Sequence, residues 1–180
     1  MKTLKEIYGG HQNNEHYGDK GTVHTYIDVY EDILSKYREN STVLEVGIFH
    51  GHSLKMWNEY FINSKIIGAD ITDAYLRNTI KEEKYNIIIA DATKESFLDK
   101  LGDDTFDVII DDGSHKIKDQ VKTFNLLKTK MNKGGLYVIE DISNLDADIE
   151  VYKELHDNIE IIDNRHIKNR FDDVLILYKF

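Results

Sequence analysis

From about residue 42 the chain alternates short runs rich in Ile and Val with longer segments whose apolar residues recur every three or four positions. That alternation predicts a parallel sheet joined by crossover helices, because short, nearly continuous apolar runs suit strands buried on both faces. The runs predict strands at 42–47, 65–71, 86–91, 106–111 and 135–139. Between them the spacing predicts helices at 53–61, 74–83, 94–101 and 117–131, with Val121, Phe124, Leu127 and Met131 on one face of the last. Gly134 and Gly135 are expected to end that helix and turn the chain into the next strand. Two further β runs, 159–162 and 174–178, are joined by a polar connection too short for a crossover helix, which predicts antiparallel neighbours. The expected fold class is α/β: a doubly wound, seven-stranded, mostly parallel sheet of Rossmann-like type with an antiparallel C-terminal strand.

The first 23 residues follow neither period and are rich in Gly, Asn and His. Two readings stand for this arm: a disordered tail, or a lid ordered by a ligand. A helix is expected to begin near His24, with Ile27, Tyr30, Leu34 and Tyr37 facing one way. The expected organisation is therefore an arm over 1–23 and a single domain over 24–180, since 180 residues suffice for one core and are too few for two.

A formal charge of -10 disfavours a nucleic-acid binder, because such binding neutralises phosphates with clustered Lys and Arg. No apolar run approaches the roughly 20 residues that cross a bilayer, and the N-terminus lacks the apolar core of a secretory signal, so the expected compartment is the cytoplasm, with no membrane partner. With no Cys, site chemistry has to run on carboxylates, His, Tyr and Lys.

The motif Glu45-x-Gly47-x-x-x-Gly51 follows a predicted strand and precedes a helix opening at Ser53, the place where an open α/β sheet binds ligands. Its glycine spacing matches neither the dinucleotide fingerprint nor a Walker loop. Asp70 ends the second strand, where a carboxylate can accept bonds from ribose hydroxyls, and Asp91 ends the third, within reach of an adenine amino group. Asp111 ends the fourth, so the acids would line one edge of the sheet; Ile71 and Ala92 complete the expected contacts to an adenosine-type ligand. Next along are Asp112-Gly113-Ser114-His115 and, after another apolar run, Glu140-Asp141. Asp112, Glu140 and Asp141 offer the hard oxygen donors that Mg²⁺ prefers, and His115 is placed to take a proton. Glu140 and Asp141 can reach one ion together only if the strand ends there, since neighbours on a strand point to opposite faces.

Leu44-Glu45-Val46-Gly47, Leu54-Lys55-Met56-Trp57, the run from Phe106 to His115 and the run from Gly134 to Asp141 together resemble class I methyltransferases that use S-adenosylmethionine, within them the macrocin and mycinamicin sugar O-methyltransferase group. The resemblance implies a methyltransferase fold and a cofactor site at Glu45, Gly47, Gly51, Ser53, Asp70, Ile71, Asp91, Ala92 and Asp111. It also implies Mg²⁺ held by Asp112, Glu140 and Asp141, His115 as general base, and a small-molecule acceptor such as a sugar or glycosylated metabolite. Tyr17-Gly18-Asp19-Lys20-Gly21 is similar to a family segment that packs over the cofactor but lacks its Thr, and Asn132-Lys133 stand where the family usually has Pro. The chain lacks the family's long N-terminal domain and substrate-covering insertions, so its acceptor site is expected to be more open or completed by another subunit in a homo-oligomer. Two other classes make different demands on the sequence. A nucleotide-dependent oxidoreductase or epimerase would need the dinucleotide glycines and a Tyr-x-x-x-Lys pair; a non-catalytic binding protein of the same fold would have no reason to keep His115 with all three acids.

Overall fold

A computed structural model describes residues 1–9, 18–76 and 85–180. Two helices, α1 (Leu4–Gly9) and α2 (Tyr26–Leu34), precede β1 (Thr42–Val46), α3 (His52–Tyr60), β2 (Lys65–Asp70) and β3 (Asn86–Ile89). Then follow α4 (Ser96–Leu101), β4 (Phe106–Asp111), α5 (Ile117–Leu127), β5 (Met131–Ile139), α6 (Leu145–Lys153), β6 (Ile159–Asp163), α7 (Arg165–Lys168) and β7 (Val174–Lys179). The seven strands form one sheet in the order β3-β2-β1-β4-β5-β7-β6. Pairing is parallel from β3 to β5 and antiparallel at β5–β7 and β6–β7. The expected α/β sheet is thus present, with both C-terminal strands antiparallel to their β7 or β5 neighbours.

The near-continuous apolar strands are buried on both faces, as a parallel sheet requires. Val43, Val108, Ile110, Leu136 and Val138 pack on one face against Leu4 of α1, Tyr30 and Leu34 of α2, and Trp57 and Tyr60 of α3. Leu44, Ile109, Tyr137 and Ile139, one position out of step, pack on the other against Phe97, Phe124, Leu127 and Tyr152. Each such side chain contributes about 1.5–3 kcal/mol on leaving water. After β1 the chain winds outward to β2 and β3, then returns to the far side of β1 as β4. The connections that leave β1 and β4 therefore depart to opposite faces of the sheet, and a crevice opens beyond those strand ends.

The structure corrects the sequence reading in several places. The segment from Leu4 is helical, with Leu4 and Ile7 one turn apart and buried in the core. Gly134 and Gly135 do not end a helix: α5 stops at Leu127, and the pair lies inside β5. There β5 spans Met131 to Leu136 while β4 advances only from Phe106 to Val108, so the extra residues loop out, and Gly134 takes φ +83 to allow it. Helix α6 went unpredicted although Leu145, Ile149 and Tyr152 carry its spacing, and α7 occupies part of the connection read as polar loop. Of the helix predicted at 74–83, residues 74–76 form a turn and the rest lies outside the described residues. Among the described residues, no helix is long and apolar enough to cross a membrane.

Phe124 meets Tyr137 edge to face and Tyr178 and Phe180 at a tilt, and is fully buried. Phe124→Ala should cost about 3–5 kcal/mol in denaturant unfolding. Phe171→Ala, at an exposed position, should stay within about 0.5 kcal/mol.

Candidate active site

Beyond the carboxyl ends of β1 to β4 lies a cleft of about 390 Å³, lined by Gly47, Asp70, Ile71, Asp91, Ala92 and Asp111 among others. That volume is in the range of sites for small organic ligands. Gly47 makes the cleft possible. Its φ is +86, its N–H donates to the Ala69 carbonyl at 2.8 Å, and a Cβ there would stand 1.9 Å from the Asp112 carbonyl oxygen. The turns after β1 and β4 can therefore touch only because residue 47 has no side chain.

The acids at the strand ends are held in different ways. Asp70 accepts the Phe49 N–H at 2.9 Å and the Thr72 N–H at 3.1 Å, which ties the turn after β1 to the end of β2. Asp91 accepts the Thr93 hydroxyl at 2.7 Å and the Thr93 N–H at 2.9 Å, and these bonds hold its carboxyl below the usual range. Asp111 is buried, and burial pushes it up to about 7 against hydrogen bonds from the Gly113 N–H and the Tyr137 hydroxyl. The remaining residues of the predicted cofactor set stand off the cleft. Glu45 is fully buried and accepts the Ser53 hydroxyl at 2.8 Å; Ser53 lines a smaller hollow that meets the cleft at Gly47. Gly51 caps α3 with φ +74.

Past Asp111 the edge turns acidic. One donor atom each from Asp112, His115 and Asp141 lies within 4.8 Å of the others, a grouping that could hold a metal ion. The His115 ring spans the two acids, Nε2 standing 3.9 Å from Asp112 Oδ1 and Nδ1 standing 3.8 Å from Asp141 Oδ2. Its side chain is 38 % exposed, so an incoming molecule can reach it. His115 and Asp141 both have left-handed backbones, at φ +55 and +57, and Phe49 on the neighbouring turn has φ +44. Such conformations cost a non-glycine residue roughly 1–3 kcal/mol and gather where a side chain must be aimed.

Glu140 is not brought into that group. The strand ends at Ile139, but the Glu140 side chain turns inward, where its Oε1 accepts the Lys20 ammonium at 2.7 Å and the Tyr30 hydroxyl at 2.5 Å. Lys20, singled out in the sequence only as part of the arm segment similar to one that packs over the cofactor, is 2 % exposed and also donates to Asp112 Oδ2 at 2.7 Å, with Glu45 Oε1 at 3.7 Å. Burial pulls its ammonium toward the neutral form; Asp112, Glu140 and Glu45 outweigh that and hold it well above the ordinary lysine range. Two further residues were missed. Tyr26 donates to Asp141 Oδ1 at 2.8 Å, and buried His24, stacked on Tyr26, brings Nδ1 to 3.4 Å from the same oxygen. The contacts of Tyr26 and His24 with Asp141 join residues more than a hundred positions apart, and no local motif signals them.

Residues 37–175 match a family model described as a methyltransferase domain. Over 137 residues the chain is 35% identical to the 8-demethyl-8-α-L-rhamnosyl tetracenomycin-C 2'-O-methyltransferase of Streptomyces olivaceus, covering 71% of this chain and 35% of that one. It is also 35% identical over 133 residues to demethylmacrocin O-methyltransferase of Streptomyces fradiae, covering 68% of this chain and 33% of that one. The chain thus spans about a third of the length of these curated relatives. Among solved structures, a methyltransferase of the mycinamycin biosynthetic pathway in complex with Mg and SAH superposes over 99% of this chain and 55% of its own, with a TM-score of 0.74 at 25% identity.

The contact at Gly47 is testable on its own. Gly47→Ala should destabilise by more than 2 kcal/mol, roughly the upper part of the range for a strained φ, because backbone must move as well. Gly134→Ala shares the positive φ but meets open space, so it should cost about 1 kcal/mol. Equal losses in chemical denaturation would mean that the approach of the two turns carries no energy.

Proposed function

The chain belongs to the methyltransferase-domain family, and from that premise we propose that it moves a methyl group from S-adenosylmethionine to a hydroxyl of a sugar or similar polar small molecule, with Mg²⁺ in the site and His115 as general base. The observation that carries this reading is the position of Asp112. Its backbone packs on Gly47 at the cofactor cleft, and its carboxylate belongs to the group with His115 and Asp141. One residue thereby joins a site that fits an adenosine-type ligand to a site that fits a divalent cation.

Asp70, Ile71, Asp91 and Ala92 line the cleft; there Asp70 would accept ribose hydroxyls and Asp91 an adenine amino group, with Ile71 and Ala92 as apolar contacts. Glu45 and Ser53 brace the turn that carries Gly47 and Gly51. Asp112 and Asp141 would hold Mg²⁺ with the hard oxygens it favours; Glu140, the third acid of the expected set, stands behind them on Lys20. Mg²⁺, when bound, would supply Lewis-acid activation of the acceptor hydroxyl. His115 takes the acceptor proton, and the carboxylates on either side of its ring stabilise the imidazolium. The acceptor oxygen forms a bond to the methyl carbon as the carbon–sulfur bond breaks, and the sulfonium leaves as a neutral thioether. Since that cofactor brings its own positive charge, the residues here supply orientation and deprotonation. Support for a sugar-like acceptor comes from the sugar O-methyltransferases to which the chain is similar, and a net charge of -10 suits a small neutral acceptor better than a nucleic acid.

Titration calorimetry should show saturable binding of S-adenosylhomocysteine and none of NAD; the reverse would end the proposal. His115→Ala should lower turnover by about 10²–10⁴-fold with S-adenosylhomocysteine affinity unchanged, whereas loss of both together would make His115 a structural residue. Asp112→Asn should abolish stimulation by Mg²⁺, and full activity of the wild-type protein in chelator would remove the metal from the mechanism.

A further inference from the structure

Each of the three acids past β4 and β5 has one carboxylate oxygen engaged by the segment before the sheet. Asp112 Oδ2 accepts the Lys20 ammonium at 2.7 Å. Glu140 Oε1 accepts the same ammonium at 2.7 Å and the Tyr30 hydroxyl at 2.5 Å, and Asp141 Oδ1 accepts the Tyr26 hydroxyl at 2.8 Å. The other oxygens remain to be offered: Asp112 Oδ1 and Asp141 Oδ2 stand 3.9 and 3.8 Å from nitrogens of the His115 ring, and Glu140 keeps Oε2. We propose that Lys20, Tyr26 and Tyr30 are positioning residues that limit each acid to one oxygen for a single metal ion, so that the site prefers an octahedral ion such as Mg²⁺ to Ca²⁺. This rests on the metal reading above.

The two ions use a carboxylate differently. Ca²⁺ takes about six to eight oxygens in a flexible shell and readily binds both oxygens of one carboxylate, whereas Mg²⁺ demands near-octahedral geometry and keeps several waters. A carboxylate with one oxygen held by a protein donor can chelate through both only by giving up that bond. The bonds here are charge-assisted, and their donors are buried, so an abandoned donor would be left unpaired away from water. One oxygen from each of three acids fills half of an octahedral shell and leaves the other half for water and an acceptor hydroxyl; the same three oxygens leave Ca²⁺ short of ligands. Partners of metal ligands commonly set ligand direction in this way.

The donors are held as firmly as the acids. Tyr26 and Tyr30 stand one turn apart on α2, so their side chains leave the same side of the helix, and both are fully buried. They meet adjacent acids that point different ways because the backbone is left-handed at Asp141. Buried Asp173 accepts the Thr25 N–H at 3.1 Å and the Thr25 hydroxyl at 2.9 Å, and the Lys20 carbonyl accepts the Tyr26 N–H at 2.9 Å. The start of α2 is thereby pinned both to β7 and to the turn that bears Lys20. The Tyr26 oxygen also lies 3.0 Å from the Asp172 carbonyl, but its single proton goes to the charged acceptor, which makes the stronger bond. Burial and the neighbouring acids hold both hydroxyls above the ordinary tyrosine range, so they stay protonated.

Displacement of bound Mn²⁺ by Mg²⁺ and by Ca²⁺, followed by electron paramagnetic resonance of the full chain, tests this without any turnover. Tyr26→Phe keeps the ring and frees Asp141 Oδ1, and it should lower the preference for Mg²⁺ over Ca²⁺ by about 10-fold or more. A preference left as in wild type overturns the proposal, whether the two affinities hold or fall together, since a merely structural tyrosine would move both alike. If wild type binds no Mn²⁺, Mg²⁺ or Ca²⁺, the metal reading of the proposed function falls and this proposal with it, a result distinct from an unchanged preference. Should Y26F lose the wild-type circular dichroism, Tyr30→Phe, which removes one of the two donors on Glu140 Oε1, is read by the same criterion. If neither variant folds, the hydroxyls hold the fold and not the ligands, and the proposal is overturned.

Discussion

A buried charge has to be matched nearby, and the edge of this sheet where β1, β4 and β5 end gathers Glu45, Asp111, Asp112, Glu140 and Asp141 within a few residues of one another in space. Left to themselves, such carboxylates would take up protons or open to water. The fold deals with them separately. Asp111 is pushed up to about 7 by burial and receives bonds from Gly113 and Tyr137. Glu45 and Glu140 face the Lys20 ammonium. Asp141 receives Tyr26 and neighbours His24. Three of these partners, Lys20, His24 and Tyr26, come from the segment before the sheet, so the start of the chain is part of the site's electrostatics.

The sheet explains why the acids meet at all. Parallel strands all point their carboxyl ends to one edge, so an acid at or just past each strand end becomes a row at a single rim. The reversal of strand order between β1 and β4 opens the crevice, and Gly47 lets the turns on its two walls meet at Asp112. Two apolar layers, one under α1 to α3 and the other under α4 to α6, hold that rim in place from both faces. Backbone strain at Phe49, His115 and Asp141 is thus borne by a rigid frame.

Much of this was legible in the chain itself. Apolar runs located all seven strands, and the acids at 70, 91 and 111 could be placed on one rim because each closes such a run. The brevity of the link between the last two β runs was enough to give their antiparallel pairing. Other features were not legible, for physical reasons. The glycine pair at 134 and 135 carries the same local signal whether it stops a helix or loops out of a strand, and only the pairing with β4 distinguishes them. Adjacent Glu140 and Asp141 cannot be oriented from sequence, because the left-handed turn at Asp141 and the pull of Lys20 decide which way each points. Lys20 itself reaches its partners across 92 and 120 residues. A buried lysine among acids has no periodicity to announce it.

On the proposed function, the cleft beside Gly47 and the acidic group are one site joined at Asp112. A crystal structure grown with S-adenosylhomocysteine and Mn²⁺, with data collected at the manganese absorption edge, tests it most directly. S-adenosylhomocysteine should lie in the cleft beside Gly47, Asp70 and Asp91, with one anomalous peak about 2.1 Å from carboxylate oxygens of Asp112 and Asp141. A ligand bound elsewhere, or a peak away from Asp112, would contradict it.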